Sequence, residues 1–188
     1  MREALDCVVN DTERAGDVIG RIRDQIKKSP PRKERVDVNA AISEIIALTH
    51  TEAAKNGISI QTSFAEGLCS IQGDRVQLQQ VVLNLVLNAI EAMSADNNAG
   101  LGELLISTEQ SQDAGVLVAV RDSGPGIDFD DVEVVFRPFH TTKPSSMGIG
   151  LSICRSIIDA HGGRLWMEAN EPRGAVFKFA LPAVKMAS

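Results

Sequence analysis

The residues of this chain best suited to chemistry lie between Val116 and Gly163. An apolar run, Val116-Leu-Val-Ala-Val120, leads into Asp122-Ser-Gly124-Pro-Gly126-Ile127, and further on Gly148-Ile149-Gly150-Leu151 opens a helical stretch that ends at His161-Gly162-Gly163. A strand that ends in an acid and a glycine turn, followed by glycines at a helix start, is suited to holding a nucleotide. The carboxylate can read a base, and N–H groups at the helix N-terminus can meet phosphate oxygens. Each glycine pair taken alone also fits an ordinary turn or cap.

A second group precedes it. Asp74 suits a helix N-cap, with Gln77 completing a capping box, and from Val76 to Met93 nearly every position is apolar, as in a helix buried almost all round. Yet Gln77, Gln80, Asn84, Asn88 and Glu91 fall three or four apart and share one face. A buried amide without a partner costs about 1–3 kcal/mol. Two readings follow: the stripe meets a hydrated cation or a phosphate, or it faces solvent.

Positioning these groups takes a sheet and several helices. Leu5, Val8, Thr12, Ala15, Ile19, Ile22 and Ile26 step by three and four in turn, a heptad seam over residues 3–28. Either a partner helix covers it, most simply in a dimer, or it folds back on its own domain. Ser29-Pro-Pro31 ends that helix, because proline lacks the donor and disfavours helical backbone before it, and 29–35 reads as a linker. The spacing then predicts a helix capped by Asn39 and stopped by Gly57, and strands over Ile58–Phe64 and Leu68–Ile71. After the Asp74 helix come strands over Leu104–Thr108 and Val116–Val120, a short helical piece over Phe129–Phe136, and an aperiodic loop over Phe139–Met147. A helix over Ile149–Ala160 and strands over Arg164–Glu168 and Ala175–Leu181 complete a domain of residues 36–183, with 184–188 as a tail.

Composition narrows the class. With 188 residues, 44% hydrophobic and 23% charged, the chain reads as a soluble globular protein. A net charge of −6 argues against nonspecific nucleic-acid binding, which needs a basic surface. One tryptophan and no tyrosine leave no aromatic platform for single strands. No apolar run approaches a membrane span and the N-terminus has no signal-peptide core, so a cytoplasmic location is expected. Cys7, Cys69 and Cys154 have no metal-ligand spacing and read as reduced and mostly buried.

In chain order, Asn84-Leu-Val-Leu-Asn88-Ala89, Asp122-Ser-Gly124-Pro-Gly126, Phe136-Arg-Pro-Phe139, Gly148-Ile-Gly150-Leu151 and Gly174-Ala-Val-Phe177 resemble the N, G1, F, G2 and G3 boxes of bacterial sensor histidine kinases. These belong to the wider superfamily of gyrase, heat-shock chaperone, histidine kinase and MutL ATPases. Phe139-His-Thr-Thr-Lys-Pro144 is similar to the short-lid subclass that includes oxygen and nitrogen-status sensors. The resemblance implies an α/β two-layer sandwich of the Bergerat type, a mixed sheet packed on three helices and preceded by a long N-terminal helix. It implies ATP and Mg2+ as ligands, transfer of the γ-phosphate to a histidine on a separate helix, a response regulator receiver domain as partner, and a homodimer through the N-terminal helix. Asp122 would accept from the exocyclic amine of adenine, where guanine presents an oxygen instead. Gly124, Gly126 and Ile127 would lie at the base, Asn88 would ligate Mg2+, and Asn84 would sit beside the phosphates. Thr141, Thr142 and Lys143 would lie in the lid, Lys143 and Arg137 would steady the γ-phosphate, and Gly148, Ile149, Gly150 and Leu151 would line the triphosphate.

Three departures from the family pattern matter. Glu91 stands where a lysine or arginine is frequent, and Ala175 stands where the third box usually has threonine. The acceptor histidine, followed by an acid on the first helix of a hairpin, has no match: residues 3–28 resemble the second hairpin helix, and His50, His140 and His161 read as structural. Autophosphorylation of this chain alone is therefore not expected. Two other functions compete: an ATP hydrolase of the gyrase or MutL type, whose catalytic glutamate would fall at Asn84, and a nucleotide-sensing dimerisation module without catalysis.

Overall fold

A computed structural model of the chain describes residues 34–95, 101–111, 115–126, 134–139 and 148–183, all within one compact unit, Lys33–Ser188. The heptad seam, Cys7, Ile127 and the lid residues His140, Thr141, Thr142 and Lys143 lie outside the described residues.

The unit is an α/β sandwich. Its main sheet holds β2 (Ile58–Phe64), β4 (Gly102–Gln110), β5 (Val116–Asp122), β6 (Arg164–Ala169) and β7 (Ala175–Leu181) in the order β2-β4-β5-β7-β6. The β2–β4 pair is parallel and the others antiparallel, so the sheet is mixed, as expected. Helices α1 (Val38–Lys55), α2 (Arg75–Ser94) and α3 (Gly150–Ala160) pack on it and on one another. Among the described residues, no helix is long and apolar enough to cross a membrane.

Side chains alternate across a strand, and the inward sets are Leu104, Ile106 and Thr108 on β4 and Val116, Val118 and Val120 on β5. Asp122 continues the second series, so the register that builds the core also turns its carboxylate toward the helices. On α2, Leu78, Val81, Leu85, Val86, Ala89 and Ile90 form the buried stripe. That helix is not closed on all sides: Val76 is exposed, and Leu83, Leu87, Gln77, Gln80, Asn84 and Asn88 are half-buried. Glu91 is exposed, the solvent-facing end of the polar stripe.

The N-cap at Asp74 and the strands Ala175–Leu181 and Ile58–Phe64 match the structure: the Asp74 carboxylate accepts from Gln77 N–H at 3.1 Å, and both strands have the expected limits, but Gln77 does not complete a capping box, because Asp74 N–H donates to His161 Nε2 at 2.9 Å. Three others need correction. The N-cap of α1 is Asp37, whose carboxylate accepts from Ala40 N–H at 3.0 Å. Asn39 has other partners, donating to Ala65 O at 3.0 Å and accepting from Thr108 Oγ1 at 2.8 Å, which ties α1 to the ends of β2 and β4. The short strand expected at Leu68–Ile71 is instead β3 (Ile71–Gly73), paired antiparallel with β1 (Glu34–Val36). Glu34 and Arg35, expected in the linker, thus pair with Gly73 and Gln72, and the buried Val36 and Ile71 anchor the pair. Three residues give too little alternation to read. Phe129–Phe136 is described only at its end, a 3-10 turn over Val134–Phe136.

Candidate functional site

Asp122 is 4% exposed and held by backbone. Its Oδ1 accepts from Gly124 N–H at 2.9 Å and from Ala175 N–H at 3.2 Å. Around it the turn between β6 and β7 closes like a clasp: Asn170 Nδ2 donates to Asp122 O at 2.8 Å, and Arg173 Nε donates to Gly124 O at 3.0 Å. Gly174 makes this approach possible, because at φ +107° a Cβ there would lie 2.0 Å from Asp122 O. The first and third glycine boxes therefore fit together backbone to backbone, and the carboxylate sits in a fixed orientation.

One face of α2 leads away from that loop. A Cβ at Gly124 would lie 3.6 Å from Ala92 Cβ, so the loop rests on the last turn of the helix. Asn88 and Asn84 follow on the same face at successive turns, the whole line from Ala92 to Asn84 covering about 12 Å at 1.5 Å per residue. Asn88 is half-buried and makes no side-chain hydrogen bond among the described residues. Asn84 donates from Nδ2 to Cys154 Sγ on α3 at 3.6 Å. Cys154 is fully buried, and burial pushes its thiol up to about 12, against the opposing pull of the Asn84 hydrogen bond.

The line ends at Cys154 of α3, one turn past the start of that helix. Its N-cap, Ile149, contributes no side-chain hydrogen bond, and a Cβ at Gly150 would meet nothing within 4 Å among the described residues. Such a helix start offers N–H groups and the positive end of the helix dipole to an anion. Gly148, at φ +65°, sets the entry, and its carbonyl accepts from Phe139 N–H at 3.1 Å. Phe139 itself has φ +64° and is exposed. The guanidinium of Arg155 lies 5.3 Å from the Phe136 ring centre, docking the 3-10 turn on α3, while Arg137 is exposed beside it.

Of the residues expected to form a site, Asp122, Gly124, Gly126, Asn84, Asn88, Gly148, Ile149, Gly150 and Leu151 are carried by these neighbouring elements. Arg137 is placed near by sequence without a described contact into the line, and Ile127, Thr141, Thr142 and Lys143 lie outside the described residues. Asn170, Arg173, Ala92 and Cys154 were not expected. Asn170 and Arg173 sit in a turn whose composition shows only that it is a turn.

The described residues thus combine, on an α/β sandwich, a buried acid held by backbone and a half-buried Asn88 with no side-chain partner among the described residues. The chain belongs to the family of histidine kinase-, DNA gyrase B-, and HSP90-like ATPases, which matches residues 73–185. It is similar to the sensor protein FixL of Bradyrhizobium diazoefficiens, 39% identical over 97% of this chain and 36% of that protein. The chain thus spans about a third of that relative's length. It is also similar to the catalytic domain of histidine kinase ThkA, 37% identical over 80% of this chain and 95% of that one, with a TM-score of 0.71. ThkA in complex with response regulator protein TrrA aligns at 32% identity over 97% of this chain and 51% of that one, TM-score 0.78. Full-length ShkA in complex with AMPPNP aligns at 26% identity over 83% of this chain and 32% of that one, TM-score 0.71.

Proposed function

We propose that this chain binds MgATP and transfers its γ-phosphate to a histidine on a separate helix, as the kinase core of a cytoplasmic two-component signalling protein. The observation that carries the reading is the continuous α2 face, Ala92, Asn88 and Asn84, which runs from the loop of the buried Asp122 to Cys154 on α3.

Each residue then has a task. Asp122 accepts from the exocyclic amine of adenine, and Gly124 and Gly126, with Ile127, let the base approach the backbone. Gly148 to Leu151 present N–H groups to the phosphates. Asn88 fits Mg2+, a hard ion that takes oxygen donors and keeps most of its waters, and its amide, with no side-chain hydrogen bond among the described residues, supports that fit. Bound there, the ion would neutralise phosphate charge. Asn84 lines the phosphate end, while Lys143, Arg137 and the lid threonines Thr141 and Thr142 steady the γ-phosphate. Transfer of this kind depends on positioning and charge neutralisation more than on covalent chemistry by the protein.

Partners follow from the reaction: an acceptor-histidine helix, a response regulator receiver domain, and a second copy through residues 1–28. Hydrolysis of the gyrase type is disfavoured because the position of its glutamate is an amide, Asn84, tied to Cys154. The test supplies an acceptor helix and labelled MgATP. Acid-labile, base-stable label on the histidine is expected; nucleotide binding without label would leave the sensing module, and rapid phosphate release would favour the hydrolase.

A further inference from the structure

We infer that His161 is a positioning residue for the phosphate end of the site, through a single imidazole shared between two helices. His161 is the C-cap of α3. Its Nδ1 lies 2.7 Å from Ile157 O, and its Nε2 lies 2.9 Å from the backbone nitrogen of Asp74, the N-cap of α2. A carbonyl only accepts and an amide N–H only donates, so both bonds hold in one form of the ring: neutral, with the proton on Nδ1.

The packing is built around that ring. A Cβ at Gly73 would lie 2.6 Å from His161 Cδ2 and 2.9 Å from Nε2, so the imidazole reaches the Asp74 amide only because residue 73 is glycine. Asp74 in turn both caps α2 through its carboxylate and holds His161 through its amide. Helix α2 therefore starts where α3 ends.

A second tie fixes the register. Asn84, further along α2, bonds Cys154, earlier on α3, so the two helices run antiparallel. One more turn in each direction reaches Asn88 on α2 and Gly150 on α3. The His161 tie and the Asn84 tie together set how the uncapped start of α3 lies against Asn88. The Asp122 loop is carried by β5 and the β6–β7 turn and does not use His161.

This inference rests on the ATP reading above, and it separates the two ends of the ligand. The experiment measures MgATP by calorimetry and adenosine, which lacks phosphates, by NMR titration, for wild type, His161→Ala, Gly73→Ala and His161→Gln. Losing a hydrogen bond to a half-buried amide should weaken MgATP about tenfold or more in both alanine variants, with adenosine within about twofold of wild type. His161→Gln, whose Oε1 can still accept from the Asp74 amide, should recover MgATP affinity to within about threefold of wild type. Gly73→Ala attacks the same bond from the other partner, so the comparison survives if His161→Ala does not fold. Unchanged MgATP affinity in the alanine variants overturns the inference, as does equal loss of MgATP and adenosine. Wild-type protein that binds no MgATP overturns the underlying reading, a result distinct from either.

Discussion

The amide of Ala175 lies 3.2 Å from Oδ1 of Asp122, so the last strand of the chain fixes the acid delivered by the middle one. A backbone N–H makes this bond, and it does not depend on the side chain at 175. The absence of threonine there removes a hydroxyl but leaves the carboxylate oriented. Gly174 enforces the same approach, and Asn170 repeats it on the Asp122 carbonyl.

Asp122→Asn should separate binding from folding. The amide oxygen can keep both backbone donors while an NH2 replaces the second carboxylate oxygen and faces the adenine amine. ATP affinity should fall about 10–100-fold, the size of a hydrogen bond to a charged group. The melting temperature should stay within about 4 °C of wild type, under about 1 kcal/mol. Calorimetric affinity equal to wild type would remove Asp122 as the adenine acceptor.

Gly174→Ala should do the reverse. Its Cβ would sit 2.0 Å from Asp122 O at φ +107°, so strain and overlap should cost about 2 kcal/mol or more of stability. Urea denaturation checks this, and a loss under about 0.5 kcal/mol, the usual size for an unremarkable surface change, would contradict the clasp.

At Gly150 the opposite balance holds, since none of the described residues lies within 4 Å of an added Cβ. Gly150→Ala should leave stability unchanged or raise it by up to about 1 kcal/mol. The methyl would nevertheless occupy the space assigned to the phosphates, so MgATP affinity should drop while adenosine affinity does not. Full MgATP affinity would move the phosphates away from this helix start.

Much of this was legible in the chain. The apolar run Val116–Val120 gave β5 and led to Asp122, and the order of the glycine and asparagine motifs gave the family and the fold. Asn84 and Asn88 were visible because amides at helical spacing stand out in an apolar run. The strand pair Glu34–Val36 and Ile71–Gly73 was not visible, because three residues show no period. Asp37 rather than Asn39 caps α1 because Asn39 is taken by Ala65 and Thr108, contacts 26 and 69 residues away in sequence. The bonds of Asn170, Arg173, Cys154 and His161 are likewise long-range, so local pattern holds no trace of them.

Cys154 predicts an alkaline signature. The unfolded thiol loses its proton near pH 9, while the folded one holds it to about 12 because burial disfavours the thiolate. Below 9 both states are protonated and the group contributes nothing; above it the unfolded state binds fewer protons, so stability falls with rising pH. The slope should be about 1.4 kcal/mol per pH unit between those values. Urea denaturation of wild type against Cys154→Ser should show this extra slope in wild type, and parallel curves would contradict it.

The most direct test of the whole account is a calorimetric titration of the chain with ATP, with and without Mg2+, on wild type and Asn88→Ala. Saturable binding at one site is predicted, tightened by Mg2+ about tenfold or more in wild type and not in Asn88→Ala. No binding at millimolar nucleotide, or a Mg2+ effect that Asn88→Ala leaves intact, would contradict it.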